Sequence, residues 1–347
     1  MIFSKQLDKF LSLSAGIAFP LFRKALDKKF ESDFKSFGVE STNVCNAKCS
    51  FCAYRLGYDG REKGFVNEDV LRHSLKLFKK HGGSNFSFIS VLGDPLTDKD
   101  LISKIKIIAA EPQIKEINIY SNMIGLDRYD IDEFVTSGVT IISVSTCLGG
   151  REMYKKLFGV DEYERAMKNI LTLLEANRKH GNPLKITLLI RMYYPVEKNY
   201  DREILEKIRE YLPKNNIDVL PYDMWDDYNG KIKLPDIPEG GKFKHNLRDK
   251  KSPCYALYRK VQVLYNGDIA VCSCRVSPEL VTDNIFKYED LFDYWHGKSL
   301  AKIRNEWKKG NIPKICRGCN HYQTFDDMEK LALKEMFRAK IKKLFPR

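Results

Sequence analysis

Between residues 37 and 222 the sequence alternates six times between a short run of β-branched and aromatic residues and a longer run of helical periodicity. The strand candidates are FGVESTNV, NFSFISVL, KEINIYS, VTIISVST, LKITLLIR and IDVLPY. Helical patterns fill 67–81, 98–111, 127–137, 151–180 and 200–212 between them. Such alternation demands parallel strands joined by helical crossovers, because a parallel neighbour is reached only through a long connection. The expected fold is therefore α/β, a partial (β/α)6 barrel of the TIM type, left open, with its chemistry at the C-terminal ends of the strands.

The alternation ends after residue 222. Residues 223–252 are rich in Gly, Pro and charge and read as a linker that also lies over the barrel mouth. Residues 253–320 carry five cysteines and a hairpin signal at Asn266-Gly267, the signature of a small metal-stapled domain. Two amphipathic segments flank these units, 1–36 and 321–347. In the second, Leu333, Met336, Phe337, Ile341 and Leu344 recur at helical spacing among lysines and arginines. It reads either as a terminal helix docked on the core or as a basic helix touching a membrane surface. The apolar run FLSLSAGIAFPLF is too short to span a bilayer and contains Pro20. With Asp8 before it and no clean cleavage site after it, it reads as a helix rather than a signal peptide.

Nine cysteines, clustered rather than spread, argue against a disulfide framework and for metal ligation in a reducing cytoplasm, with membrane association as an added option. A net charge of +13 suits an anionic substrate or acidic surface without choosing between them. Nucleic acid is not the expected partner.

In VCNAKCSFCAY, Cys45, Cys49 and Cys52 follow the first strand. A structural zinc site needs four closed ligands, and neither His73 nor His81 stands at a suitable spacing. Three thiolates can instead hold an iron-sulfur cubane with one iron left open.

This C-x3-C-x2-C motif, with Phe51 before the last cysteine, resembles the cluster loop of the radical S-adenosylmethionine (SAM) enzymes. The resemblance implies a 4Fe-4S cluster whose open iron binds SAM. It also implies an external one-electron reductant and a 5′-deoxyadenosyl radical that takes hydrogen from unactivated carbon. Gly93-Asp94-Pro95 resembles that family's GGEP segment, which binds the SAM amino group, with Asp94 in place of glutamate. Ser121-Asn122 is similar to its TN pair near the ribose, and SVSTCLGGREMYKKLFG to its fourth-strand segment, implying Ser143 and Ser145 near SAM. Arg165 and Arg191 are candidates for the SAM carboxylate or an anionic substrate.

Cys254, Cys272, Cys316 and Cys319 form a C-x17-C-x43-C-x2-C array that fully ligates either a 4Fe-4S cluster or zinc. With DNIFKYEDLFDYW before IPKICRGC, it resembles the SPASM or twitch extension of radical SAM enzymes, which implies one auxiliary 4Fe-4S cluster. Cys147 and Cys274 remain. Cys147 stands where the family carries an aspartate at the end of the fourth strand, and as a hydrogen donor it would make the enzyme an epimerase. A dehydrogenase would use the auxiliary cluster instead.

The expected substrate is a carbohydrate-like molecule, free, nucleotide-linked or lipid-linked and anionic, undergoing oxidation or epimerisation. Trp225, Asp226, Tyr228 and Asn229 are the residue types that bind sugars. Two alternatives are a maturase acting on a ribosomally made peptide, and a basic iron-sulfur protein that transfers electrons or binds nucleic acid without SAM chemistry.

Overall fold

The computed structural model describes the backbone of residues 2–32, 34, 36–57, 59–88, 91–212, 216–244, 250, 252–275 and 277–344, and no side chains at 2–9, 24, 26–31, 325 and 339–344. The side chains of Ile341 and Leu344, expected on an apolar face, therefore lie outside the described residues, as do residues 89 and 90 of the second strand candidate.

The six expected strands form as β1 (Ser36–Val39), β2 (Asn85–Phe88), β3 (Glu116–Ser121), β4 (Ile141–Thr146), β5 (Lys185–Ile190) and β6 (Ile217–Pro221), each parallel to the next. Registers align Val39, Phe88, Ile119, Ile142, Ile186 and Ile217 in one row across the sheet. All six are buried against the helical layer. The alternate positions of β3, β4 and β5 are only half-buried, because the open barrel leaves its inner face lining a channel.

Helix α1 (Ile2–Ser32) precedes the sheet. The outer layer is α2 (Glu68–Lys80), α3 (Leu101–Ala109), α4 (Ile131–Val135), α5 (Arg151–Phe158), α6 (Tyr163–Lys179) and α7 (Arg202–Arg209). Asn67, Asp130 and Asp201 cap α2, α4 and α7 by accepting from backbone N–H groups of the first turn. The helical run expected over 151–180 is broken at Gly159. That residue adopts φ 70° with its backbone against the Lys48 carbonyl, where a Cβ would sit 2.3 Å from the oxygen. The break lets Lys48 N donate to Phe158 O at 2.9 Å, so α5 is tied to the cysteine loop.

Beyond the barrel lie the two-residue strands β7 (Met224–Trp225) and β8 (Lys242–Phe243), then β9 (Lys260–Val263), β10 (Asp268–Ala270) and β11 (Val281–Asn284). The expected hairpin at Asn266-Gly267 is β9–β10. It does not build a sheet of its own: β9 pairs parallel with β1, giving the nine-stranded order β11-β10-β9-β1-β2-β3-β4-β5-β6. The free edge of β1 explains the difference, since its N–H and C=O groups need a partner that the barrel strands do not supply.

Short helices α8 (Leu291–Trp295), α9 (Lys298–Lys308) and α10 (Lys314–Arg317) complete the C-terminal region before α11 (Phe325–Leu344). Helix α11 packs on α1 around Ala15, Phe19, Tyr255 and Leu333. The pairs Arg23–Asp326 and Phe19–Lys330 make the two antiparallel. The C-terminal segment thus turns Leu333 onto α1, the docked arrangement, rather than offering it to a membrane. Among the described residues no helix is long and apolar enough to cross a membrane.

Candidate active site

The loop after β1 carries Cys45, Cys49 and Cys52 into a cavity of about 220 Å³ above the strand ends. Its position is fixed by close backbone contact. Gly93 lies so near the carbonyl of Thr42 that a Cβ would come within 2.2 Å of it, so only glycine lets the loop after β2 pass. Asp94 N then donates to Val44 O at 2.8 Å.

The Asp94 carboxylate is buried and accepts from Ser121 Oγ at 2.8 Å, Asn122 N at 2.7 Å and Leu96 N at 3.0 Å. These contacts knot the β2 and β3 loops together and leave little acceptor capacity for a ligand, so Asp94 mainly positions the wall. Burial raises its pKa despite those donors. Asn122 Nδ2 reaches back to Asn46 Oδ1 at 2.8 Å and lies 4.0 Å from Cys45 Sγ, tying the knot to the cysteine loop.

Burial pushes the Cys45 thiol up to about 12, with the nearby Asp94 charge adding to it. Cys49 is raised by burial and by its neighbours Cys52 and Cys45, with the Arg191 cation opposing. Three mutually interacting thiols beside one buried cation are a donor set that metal binding would deprotonate. Among the described residues no three His, Cys, Asp or Glu side chains converge on a single-ion position. The three cysteines, on one loop and facing one cavity, therefore fit a multinuclear cluster better than one zinc ion.

Arg191, at the end of β5, is buried and held by two short bonds: Nε to Ser145 Oγ and Nη2 to Tyr120 Oη, both 2.6 Å. Its guanidinium stacks 4.1 Å from the Tyr222 ring and faces Phe51 and Trp225 at 5.6 and 5.4 Å. No carboxylate is among these partners. The result is a fixed cation in an aromatic cage, suited to an anion.

Of the expected residues, Phe51, Gly93, Asp94, Ser121, Asn122, Ser145, Arg191, Trp225, Asp226 and Tyr228 line this cavity together with the three cysteines. Pro95 is buried in the turn that follows Asp94, and Ser143 lies one inner-face position deeper than Ser145; neither lines the cavity. Two expectations are corrected. Arg165, on the outer helix α6, is committed to Asp127 by two 2.8 Å bonds on the surface, away from the cavity. Cys147 is fully buried in the core, its Sγ accepting from Gly149 N at 3.4 Å, because β4 ends at Thr146 and the chain turns before the thiol can enter the channel.

The linker contributes Trp225, Asp226 and Tyr228 to the cavity lining, held by a clasp that sequence reading missed. Asp226 and Arg275 form a buried ion pair, with Nη2 at 2.6 Å from Oδ1, and His321 Nε2 lies 3.0 Å from Asp226 Oδ2. Arg275 also faces the Tyr228 ring at 4.5 Å. Burial opposes ionisation of Asp226, but His321 and Arg275 outweigh it and bring the carboxyl down to about 2. Asn229 instead holds α10, donating to Ile315 O at 3.0 Å.

Cys254 and Cys272 border a second cavity of about 900 Å³, shared with Cys274, Lys260 and His321. Cys316 and Cys319 are close enough to influence Cys254 electrostatically, and burial pushes the Cys316 thiol up to about 12. Lys250 donates to the carbonyls of Cys316, Arg317 and Cys319 at 2.9, 2.7 and 2.9 Å, shaping the C-x2-C turn. Two thiols from the hairpin region and two from a braced turn, near enough to influence one another electrostatically, again fit a cluster. Cys274 is hydrogen-bonded to Cys272, which holds its thiol low, aided by His321, Lys260 and Arg275 against burial. His321 lines both cavities, and a small void bordered by Ala53, Tyr228, Cys274 and Arg275 lies between the two cysteine sets.

An open parallel half-barrel with three cysteines at the first strand end, followed by a four-cysteine region, defines an iron-sulfur enzyme class, and sequence comparison agrees. Residues 39–203 match the Radical SAM superfamily and residues 254–320 match SPASM, an iron-sulfur cluster-binding domain. The chain belongs to the radical SAM superfamily and carries a SPASM domain. Its cofactors are SAM, the 4Fe-4S cluster that binds it, and an auxiliary 4Fe-4S cluster.

Among curated relatives, the molybdenum cofactor biosynthesis protein moc-5 of Caenorhabditis elegans is 26% identical over 50% of this chain and 29% of its own length. The GTP 3′,8-cyclase of Pasteurella multocida is 25% identical over 41% of each. The chain thus spans well under half of these relatives. Among solved structures, BtrN in complex with AdoMet and 2-DOIA superposes with a TM-score of 0.52 at 15% identity, covering 84% of this chain and 95% of BtrN. Streptococcus suis SuiB bound to its precursor peptide SuiA gives 0.56 at 16%, covering 84% and 71%. These likenesses concern the fold.

Proposed function

We propose that this enzyme oxidises a small, anionic, hydroxyl-bearing substrate of carbohydrate or nucleotide type in the cytoplasm, using an external one-electron reductant. The observation that carries the reading is the placement of two cysteine sets on either side of one wall, Tyr228, Arg275 and His321, while Cys147 is withdrawn into the core. Loaded, the two cofactor sites supply a hydrogen-abstracting carbon radical on one side and an electron acceptor on the other.

The residues of the chain do the rest. Arg191 offers a desolvated, pre-oriented cation to a carboxylate or phosphate. Trp225 and Tyr222 meet edge to face at 5.1 Å and give the cavity an aromatic corner for a ring. The Asp226–Arg275–His321 clasp holds the linker that carries Trp225 in place. With Cys147 removed from the cavity, oxidation is favoured over the epimerisation for which it was the candidate donor. The relatives named for GTP chemistry act on an anionic nucleotide, in keeping with a basic chain and a caged arginine.

The test is deoxyadenosine release by the anaerobically reconstituted, reduced enzyme with separate pools of nucleotides and nucleotide sugars, aminoglycosides, lipid-linked glycans and peptides. Stimulation by an anionic small-molecule pool, with a product lighter by two hydrogens, supports the proposal. Deuterium uptake from heavy water without loss of mass would establish epimerisation instead, and stimulation by peptides alone would establish a maturase.

A further inference from the structure

Helix α1 has two apolar faces. One, Leu11, Ala15 and Phe19, is buried. The other, Phe10, Leu13, Ile17 and Leu21, follows helical spacing on the opposite side and is 60%, 66%, 71% and 85% exposed. Four large apolar side chains along three turns of one helix form a contiguous stripe, which soluble surfaces seldom leave bare without a partner.

The charge around the stripe selects the partner. Because α11 runs antiparallel to α1, its C-terminal half lies beside the N-terminal half of α1, where the stripe begins. From residue 330 onward that region carries Lys330, Lys334, Arg338, Lys340, Lys342 and Lys343 against Glu335 alone, before a final Arg347. On α1 itself the sequence continues past the stripe into Arg23, which pairs with Asp326, and then Lys24, Lys28 and Lys29 against Asp27. An apolar stripe between two basic stretches matches an interface with hydrocarbon at one depth and negative headgroups beside it.

We infer that the α1–α11 hairpin seats this enzyme on an anionic lipid surface, with α1 in the interface plane and Phe10, Leu13, Ile17 and Leu21 inserted among the lipids. The membrane-facing element is thus the N-terminal helix, and the basic C-terminal helix supplies attraction while its own Leu333 stays packed on α1. None of the four residues borders either cysteine site, so docking and chemistry are separable.

The experiment is flotation of the full-length reconstituted protein with phosphatidylcholine vesicles, with and without phosphatidylglycerol, at low and high salt. The expected result is binding to the anionic vesicles only, weakened by salt and reduced at least about tenfold in a Leu13→Ser/Ile17→Ser variant. That variant should keep the parent's circular dichroism and deoxyadenosine release. Partial loss in Lys340→Gln/Lys342→Gln/Lys343→Gln would support the electrostatic part. Absence of vesicle binding, or equal binding by the Leu13/Ile17 variant, overturns the inference. So does a dimer in light scattering that the same variant dissolves, because a second copy would then cover the stripe.

Discussion

Replacing Asp226 by alanine tests how the cavity is closed. Arg275 is 2% exposed and Asp226 7%, so the pair is screened little by water. The carboxylate accepts from Arg275, His321 and the Tyr228 backbone, the last at 2.8 Å. Its depressed pKa, about 2 against an ordinary 3.8, corresponds to roughly 2 kcal/mol of stability at neutral pH. That contribution is complete above the ordinary value and is lost as pH falls from about 4 toward 2, since the unfolded chain then takes up the proton first. Truncation should cost more than this linkage figure, about 3–5 kcal/mol, because it also strands the Arg275 charge in a buried site.

Anaerobic urea denaturation of Asp226→Ala, Arg275→Leu and the double variant measures both quantities. The double variant is expected to recover most of the loss, since it buries no unpaired charge. In the single Asp226→Ala variant the Tyr228 wall should loosen, raising the KM for SAM. A loss below about 1 kcal/mol, or additive single and double variants, would refute the reasoning and make the pair an ordinary surface contact.

Substituting Cys45, Cys49 and Cys52 by alanine together should abolish deoxyadenosine formation while leaving the iron and sulfide of one cluster, read by iron analysis and absorbance. Arg191→Lys should raise the KM for SAM or for the anionic substrate by about tenfold or more, because an ammonium cannot reproduce the two-bond fork and the ring stacking. Cys147→Ala should cost about 1 kcal/mol in denaturation and leave product formation within about twofold, as expected of a packing residue. Arg165→Ala should leave SAM cleavage unchanged, because its partner is the surface carboxylate of Asp127.

The barrel was legible because its strands and helices announce themselves by period, and the cysteines because ligand spacing is local. Contacts that depend on one residue meeting another across long sequence separations left no such trace. Arg275 and His321 are single polar residues near a cysteine motif, and nothing in their spacing reveals that both close on Asp226. Lys250 sits in a charge-rich linker indistinguishable from solvated sequence until its ammonium is seen on three carbonyls. Arg165 was misread because position on a barrel helix does not say which charge captures it. Alternation along β4 would have carried Cys147 to the inner face with Ser143 and Ser145, had the strand not ended at Thr146. On α1, periodicity reveals an apolar helix, but which face is covered depends on where α11 lies.

The pairing of β9 with β1 was equally hidden, yet it determines how the two cysteine sets are related. Ser36 aligns with Lys260 and Val39 with Val263, so the strands run in the same direction. Cys45, Cys49 and Cys52 emerge beyond the Val39 end. Cys254 precedes β9, and Cys272 follows the antiparallel β10, so both fall near the Lys260 end. The backbone pairing of β1 and β9 therefore relates the β1 loop to Cys254 and Cys272, while Cys316 and Cys319 are seated by the C-x2-C turn that Lys250 braces. What side chains set is the wall between them. Asn229 on Ile315, Lys250 on the C-x2-C turn and Asp226 on Arg275 and His321 all join the linker to the C-terminal region. Substitutions in this clasp should therefore change the shape of the active cavity and the seat of Cys316 and Cys319 while leaving the β1–β9 pairing, and with it the seat of Cys254 and Cys272, intact.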